Sequence, residues 1–311
     1  LRNYGQAKII RKVVKEVQPD VIHIIAEPYV MPWIFLRNKP PTVLTVHGTF
    51  AYLPDTAPVG VRRLVSKMIF RLALKNISQV LTVSETVKRQ ISVHENLYSN
   101  LEVLKNVINL PVDIPVKNDD SKDVYTVVTI GQVKRRKGIA ESIPLLSAWA
   151  KDRNKKVEYQ VIGDFDKNSN YIKQIDSLTD EFSHDLFSVN MCGRVTEEEK
   201  ISTLLKADLY IHLEKIISEN SDREGFGIGI IEAAAYGVPA LVANGSATTE
   251  AVLDGESGYH INLGENEVIF SRLDDILLER RISRTQLTAW AMQHSPLRFY
   301  QQLKNFYKNL I

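Results

Sequence analysis

EGFGIGIIEAAAYGVPALVA, residues 224–243, decides how this chain must fold. Glu224 to Gly227 read as a glycine-rich turn, and the apolar run from about Gly227 to Tyr236 reads as a helix. Gly237 suits the left-handed position that ends a helix, and Pro239 just beyond it prevents continuation. Ala240 to Ala243 then read as a short strand buried on both faces. Turn, helix, stop and buried strand in close succession build parallel sheets with crossover helices.

The same alternation runs outward from this stretch. Upstream lie strand Val124 to Ile130, helix Ile139 to Ala150, strand Val157 to Ile162, an irregular helical stretch and strand Phe187 to Met191. Thr196 to Glu199 has the form of a capping box opening a helix to Leu205, and strand Asp208 to Leu213 follows. From Glu265 the chain reads as helical, broken at Pro296, with an amphipathic last segment from Leu297 to Leu310. Further upstream, LPVDIPVKNDDSKD (110–123) lacks apolar periodicity and reads as a linker. Before it stand four more β-branched apolar runs, Asp20 to Ile25, Thr42 to Val46, Gln79 to Val83 and Leu101 to Leu104, with helical patterns between them.

The expectation is an α/β chain of two Rossmann-like, doubly wound lobes. The first covers 1–109, the linker 110–123 and the second lobe 124–295, with helix 296–311 crossing back to the first. The chain opens without methionine, in a helix-like stretch from Gln6 to Val17. That start suggests an N-terminal lobe lacking its first strands.

Bulk properties bound the function. At 311 residues, 44% apolar and 24% charged, the sequence suits two soluble globular cores. Basic and acidic side chains number 39 and 37, so a net charge of +2 gives no reason to expect nucleic acid as a partner. Cys192 is the only cysteine, which excludes an internal disulfide and favours a reducing, cytoplasmic address. No run reaches the 18 or more apolar residues of a membrane span, and LRNYGQAKII lacks the layout of a signal peptide.

Glu224 and Glu232 bracket the glycine-rich turn, and at helical rise they lie about 12 Å apart along the axis, comparable to a nucleoside diphosphate sugar. Carboxylates accept hydrogen bonds from sugar hydroxyls, and amides at a helix start suit a diphosphate between them. Glycines 225, 227 and 229 would let that backbone approach closely. Taken alone, the segment reads first as an ordinary strand-to-helix turn with two solvated glutamates.

In this setting the chain resembles the retaining glycosyltransferase family 4, of the GT-B fold, whose donor motif is E-x7-E within EGFG…EA.A.G.P. Here the motif runs from Glu224 to Glu232, followed by Ala233, Ala235, Gly237 and Pro239. The resemblance implies two lobes facing a cleft and a nucleotide-sugar donor. It implies that Glu224 contacts the donor sugar and Glu232 the ribose, with the backbone of Gly225, Phe226, Gly227 and Ile228 meeting sugar and phosphates. GQVKRRKG (131–138) follows the first strand of the second lobe, where crevice ligands bind in such sheets. Lys137 matches the family lysine that neutralises the leaving diphosphate. Gln132 stands where the family has arginine, so that charge must come from Arg135 or Arg136 if it is supplied at all.

MCGRVT (191–196) resembles the segment whose backbone meets the base, near Arg194 and Val195. Gly131, Gly163 and Asp164 are possible donor-crevice residues at strand ends. In the first lobe, VLTVHGTF (43–50) puts His47 at a strand end, where the family carries a histidine facing the donor sugar. His47 and Glu224 are therefore the catalytic candidates, with a strand-end histidine satisfied by backbone as the plain alternative. LTVSETV (81–87), VLKNVIN (103–109) and GSATTE (245–250) also echo family segments and read as scaffold.

The implied reaction is retaining transfer of a sugar from a UDP- or GDP-sugar to a glycan or lipid-linked acceptor, in surface polysaccharide or glycolipid synthesis. It needs no cofactor and no metal, the donor being a substrate. A catalytically silent sugar-nucleotide-binding or accessory protein is the alternative, and a GT-B epimerase a weaker one. VRRLVSKMIFRLALK (61–75) combines five basic residues with apolar positions at helical spacing. It reads as a surface helix packed by its apolar face, or as one that docks on anionic lipid, peripheral at the inner face of the cytoplasmic membrane.

Overall fold

The computed structural model describes residues 2–36, 39–48, 61–92, 100–111, 123–216 and 223–311. It divides into two compact units, Leu1–Asn106 with Leu297–Ile311, and Val107–Pro296. Most of the expected linker, 112–122, lies outside the described residues.

The first unit is built on a four-stranded parallel sheet. Its elements are α1 (Arg2–Val17), β1 (Ile22–Ile24), β2 (Thr42–Val46), α2 (Val61–Leu74), β3 (Gln79–Thr82), α3 (Glu85–Ser92) and β4 (Leu101–Val103). The strands stand in the order β1-β2-β3-β4, with Ile24 opposite Leu44 and Val46 opposite Thr82. β2 is buried at every position, which is why its sequence, TVLTV, is apolar or threonine without alternation. Val43, Leu81 and Leu104 form a core cluster against which Phe299, Leu303, Phe306, Tyr307 and Leu310 of the C-terminal segment pack. His23 ties that segment down, its Nδ1 lying 2.7 Å from Tyr307 Oη.

In the second unit come β5 (Val124–Ile130), α4 (Ile139–Arg153), β6 (Lys156–Ile162), α5 (Asn170–Phe182), β7 (Phe187–Gly193), α6 (Glu197–Lys206) and β8 (Leu209–His212). Then follow α7 (Ile228–Ala235), β9 (Ala240–Ala243), β10 (Gly258–Ile261), α8 (Asn266–Leu277) and α9 (Arg284–Met292), with α10 (Pro296–Lys308) leading into the first unit's segment. The six strands are parallel in the order β10-β9-β8-β5-β6-β7. Strands β5 to β7 run outward from the centre one way and β8 to β10 the other. The order therefore reverses between β5 and β8, and ligands bind at the carboxyl ends beside such a switch point.

The α/β, twice-repeated parallel architecture is the one the sequence implies. The capping box forms in full, with Glu199 N donating to Thr196 Oγ1 at 3.2 Å and Thr196 N to Glu199 Oε2 at 2.8 Å. β10 is not among the expected strands, its four residues being too short a run to carry a pattern of their own. It is set by close backbone contact: a Cβ on Gly258 would lie 2.1 Å from Ala240 O, so only glycine lets β10 lie against β9 there.

Candidate active site

Three loops meet at the carboxyl ends of β5, β6 and β8. After β5 the chain bends through Gly131 and Gln132 into a short 3-10 turn, Arg135–Lys137, before α4. Lys137 folds back over the strand end, close enough that a Cβ on Gly131 would lie 3.0 Å from its Cε. Hydrogen bonds lace this loop to the next one, Gly131 N to Ile162 O at 2.8 Å and Val133 N to Asp164 O at 3.0 Å. Gly163 N reaches Gly193 O at 2.8 Å, so the ends of β5, β6 and β7 are tied together by backbone hydrogen bonds.

Lys137 is buried, and its Nζ lies 2.7 Å from Glu224 Oε2. Arg136 Nε approaches the same oxygen at 3.5 Å. Burial alone would raise the Glu224 pKa, but Lys137, by charge and hydrogen bond, and Arg136 more than offset it and hold the carboxyl at about 2. Glu224 is thus a fixed anion between two cations. Arg135 turns away, its guanidinium 5.1 Å above the Tyr171 ring, so Arg136 supplies the second charge beside Lys137. Gln132 is exposed, and its side chain has no hydrogen bond among the described residues.

Two buried groups behind Glu224 were not singled out in the sequence. Glu214 accepts from Glu224 N at 3.0 Å through Oε1, and its Oε2 takes a hydrogen bond from Ser246 Oγ. Ser246 Oγ in turn accepts from Thr248 N at 3.2 Å and caps the 3-10 turn Ala247–Ala251. Burial pushes the Glu214 carboxyl up to about 7. His212, at the end of β8, sits 2.8 Å through Nε2 from Arg136 O. A carbonyl only accepts, so Nε2 carries the proton, while Nδ1 has no partner among the described residues. Burial, with Lys137 adding, lowers its pKa to about 3, so the ring is neutral. The available signal was positional: IHLE ends a fully apolar strand in two polar residues at the edge where crevice ligands bind.

Helix α7 begins behind Gly227 in the left-handed region, with no capping side chain and no acid in its first turn. Its amide end therefore keeps the partial positive charge that favours an anion. Phe226 contributes backbone only, since its ring is buried against His294 at 5.3 Å. Ile228 is exposed. Glu232, further along α7, is half-buried and takes Lys200 Nζ at 3.2 Å, a lysine that also holds Glu197 at 2.8 Å. On the far side Arg194 is exposed, 4.0 Å from Asp164, with Val195 half-buried beside it. Among the described residues no group of three or more His, Cys, Asp or Glu is placed to hold a metal ion.

His47 belongs to the first unit, at the end of β2. It is exposed and its Nε2 lies 2.9 Å from Ile25 O, the backbone partner that the plain alternative called for. Of the basic segment 61–75, the side chains of residues 61–64, 66 and 67 lie outside the described ones. Val65, Met68 and Leu72, at positions i, i+3 and i+7 of α2, are exposed, so its apolar stripe is only partly packed. No helix of the described residues is long and apolar enough to cross a membrane.

Comparison with known proteins gives the family and the fold. Residues 113–293 match the family described as glycosyl transferases group 1, and 1–111 match glycosyltransferase family 4. The chain is 25% identical over 162 residues to the alpha-1,3/1,6-mannosyltransferase alg-2 of Neurospora crassa, covering 46% of this chain and 34% of that protein. It is 24% identical over 254 residues to an uncharacterized glycosyltransferase of Methanocaldococcus jannaschii, covering 81% and 63%. The chain thus spans less than two thirds of these curated relatives. Among solved structures, a Rickettsia africae glycosyltransferase superposes with a TM-score of 0.74 at 16% identity over 99% of this chain and 81% of that one. The Anabaena Alr3699/HepE protein, solved with UDP and glucose, gives 0.72 at 18% over 99% and 83%. At these identities the two structures establish a shared fold.

Proposed function

Because this chain belongs to the glycosyl transferases group 1 family and has the GT-B fold, we propose that it transfers a hexose-type sugar from a UDP- or GDP-sugar donor to a glycan or lipid-linked acceptor. The observation that carries this reading is the contact of Lys137 Nζ with Glu224 Oε2 at the switch point, directly ahead of the uncapped start of α7. A diphosphate would take Lys137, Arg136 and the α7 amides, and the donor sugar's hydroxyls would replace Lys137 on Glu224. Glu232 would leave Lys200 for the ribose hydroxyls, and the backbone near Arg194 and Val195 would meet the base, with Gly163 and Asp164 lining the crevice.

In this reading the transfer retains anomeric configuration, and the leaving diphosphate takes the proton of the attacking hydroxyl on the same face. Lys137, Arg136 and the helix dipole supply the charge that stabilises departure, so no divalent metal and no cofactor is required. His47 acts as a catalytic or sugar-positioning residue. The stripe of Val65, Met68 and Leu72, with exposed Arg71 and Lys75 on the same helix and its following turn, supports a peripheral address on anionic lipid at the cytoplasmic face.

Isothermal calorimetry against UDP- and GDP-sugars, followed by turnover with and without acceptor glycans, tests the proposal. Absence of nucleotide binding would sink it. The uncharged Gln132 favours a second reading, a silent sugar-nucleotide-binding protein, which binding without turnover would support.

A further inference from the structure

The carboxyl end of β8 carries two polar side chains that the proposed reaction does not use. Strand LYIH is buried at every position, and within and just beyond it His212 is 0% exposed and Glu214 3%. Nδ1 of His212 has no hydrogen-bond partner among the described residues. An apolar residue in that place would leave no buried nitrogen unsatisfied, so the histidine is offset only by the bond its other nitrogen makes.

Each side chain holds one partner of the Lys137–Glu224 contact. His212 Nε2 donates to Arg136 O at 2.8 Å and so fixes the 3-10 turn Arg135–Lys137. Glu214 Oε1 accepts from Glu224 N at 3.0 Å, ten positions along the chain, while Ser246 Oγ from the loop after β9 holds its Oε2. Between the two, the Leu213 backbone abuts Gly138, where an added Cβ would lie 2.1 Å from Leu213 C and O. Consecutive residues of one strand end therefore seat the residue before Lys137, the residue after it, and Glu224 itself.

We propose that His212 and Glu214 are positioning residues for the donor site, His212 setting the Arg136–Lys137 turn toward the diphosphate and Glu214 setting the Glu224 backbone toward the donor sugar. This rests on the donor reading above. Each bond holds a different chain segment, and the consequences divide accordingly. Loss of the His212 bond displaces the cations, which meet every diphosphate alike. Loss of the Glu214 bond displaces the carboxylate, which only a sugar-bearing ligand feels. A role confined to stability would not separate the two ligand classes.

Calorimetry of the whole chain with UDP, GDP, UDP-glucose and GDP-mannose, beside turnover, tests this. His212→Met should weaken a free nucleotide and its sugar nucleotide by the same factor, about 10-fold, the scale of a charge-assisted contact. Glu214→Met should leave the free nucleotide bound as well or better, and weaken the sugar nucleotide relative to it by about 10-fold. Turnover should fall in both. His212→Gln can still donate to Arg136 O, and Glu214→Gln can still accept from Glu224 N, so neither should move the ratio of the two affinities. A glutamine variant that moves it would overturn the proposal, a result that stands even where methionine blocks folding. Methionine variants that lose both ligand classes equally, or bind both as the wild type does, would overturn it too. A wild type that binds neither sugar nucleotide overturns the donor reading itself, and this inference with it.

Discussion

Lys137 Nζ and Glu224 Oε2 stand 2.7 Å apart, so the cation proposed for the diphosphate and the carboxylate proposed for the sugar neutralise each other. The buried charge is thereby paired, and a donor must exchange that pairing for its own. Removing one partner or the other should then move nucleotide binding in opposite directions, while turnover falls in both. Lys137→Met should weaken UDP or GDP binding and lower turnover by about 100- to 1,000-fold, as loss of a preorganised charge does. Glu224→Gln should leave nucleotide affinity equal or higher, because Lys137 is released, while transfer falls. Calorimetry with the free nucleotides beside turnover decides this, and unchanged nucleotide affinity in Lys137→Met would remove the diphosphate role.

Acid and alkaline stability should be governed by different glutamates of this cluster. Glu224 is held at about 2 against 4.5, so its stabilising contribution is full above 4.5 and is lost as pH falls toward 2. Glu214 is pushed up from 4.5 to about 7, so the folded chain binds its proton more tightly and stability declines as pH rises across that window. Glu214→Gln can still accept from Glu224 N and should remove on the order of 2 kcal/mol of that decline. Glu27, also pushed up to about 7, leaves the remainder with the same sign. Urea denaturation at pH 5 and pH 8 measures the difference, and an equal slope in wild type and Glu214→Gln would contradict it.

The fold was legible because parallel strands buried on both faces leave continuous apolar runs, as in TVLTV and VYTVVTI. Punctuation was legible for the same local reason: Thr196, Gly237 and Pro239 act through their own backbone or side chain. Glu214 and His212 were not, because their importance comes from burial beside residues ten or more positions away, and the polar end of IHLE marks their place without their partners. The choice between Arg135 and Arg136 was likewise undecidable from adjacent positions in one basic run. It is settled by which face of a 3-10 turn meets Glu224 and which meets Tyr171.

Glu232 offers a test of competition. Its Oε1 holds Lys200 at 3.2 Å, and Lys200 is shared with Glu197. If the carboxylate is to accept from ribose hydroxyls, Lys200 competes with the ligand, and Lys200→Met should tighten UDP binding by a few-fold at most, the scale of a partly exposed ion pair. Glu232→Ala should weaken UDP binding about 10-fold, the loss of a charge-assisted hydrogen bond. Affinities measured for ribose 5-diphosphate against pyrophosphate isolate the ribose: equal losses for both ligands in Glu232→Ala would place the residue elsewhere.

Gly163 carries the sharpest mechanical prediction, because the three strand ends that frame the crevice close on it. Its φ is +153°, and a Cβ there would lie 1.9 Å from Gly131 O and 2.5 Å from Gly131 C. Both are backbone atoms, so no flexible side chain can yield. The loop carrying Gln132 would have to lift, breaking the Gly131 N to Ile162 O and Val133 N to Asp164 O bonds. Gly163→Ala should therefore cost about 3 kcal/mol or more, a fall in Tm of roughly 6–12 °C for a unit of this size. Gly255→Ala is the control: its φ of +77° carries backbone strain, but nothing lies within 4 Å of the added Cβ. That variant should lose only about 1 kcal/mol. Equal losses in the two variants would mean that the backbone conformation, and not the contact with Gly131, demands glycine at 163. If the contact is the cause, Gly163→Ala should also weaken nucleotide binding where Gly255→Ala does not, since the displaced loop is the one that carries Lys137 onto Glu224.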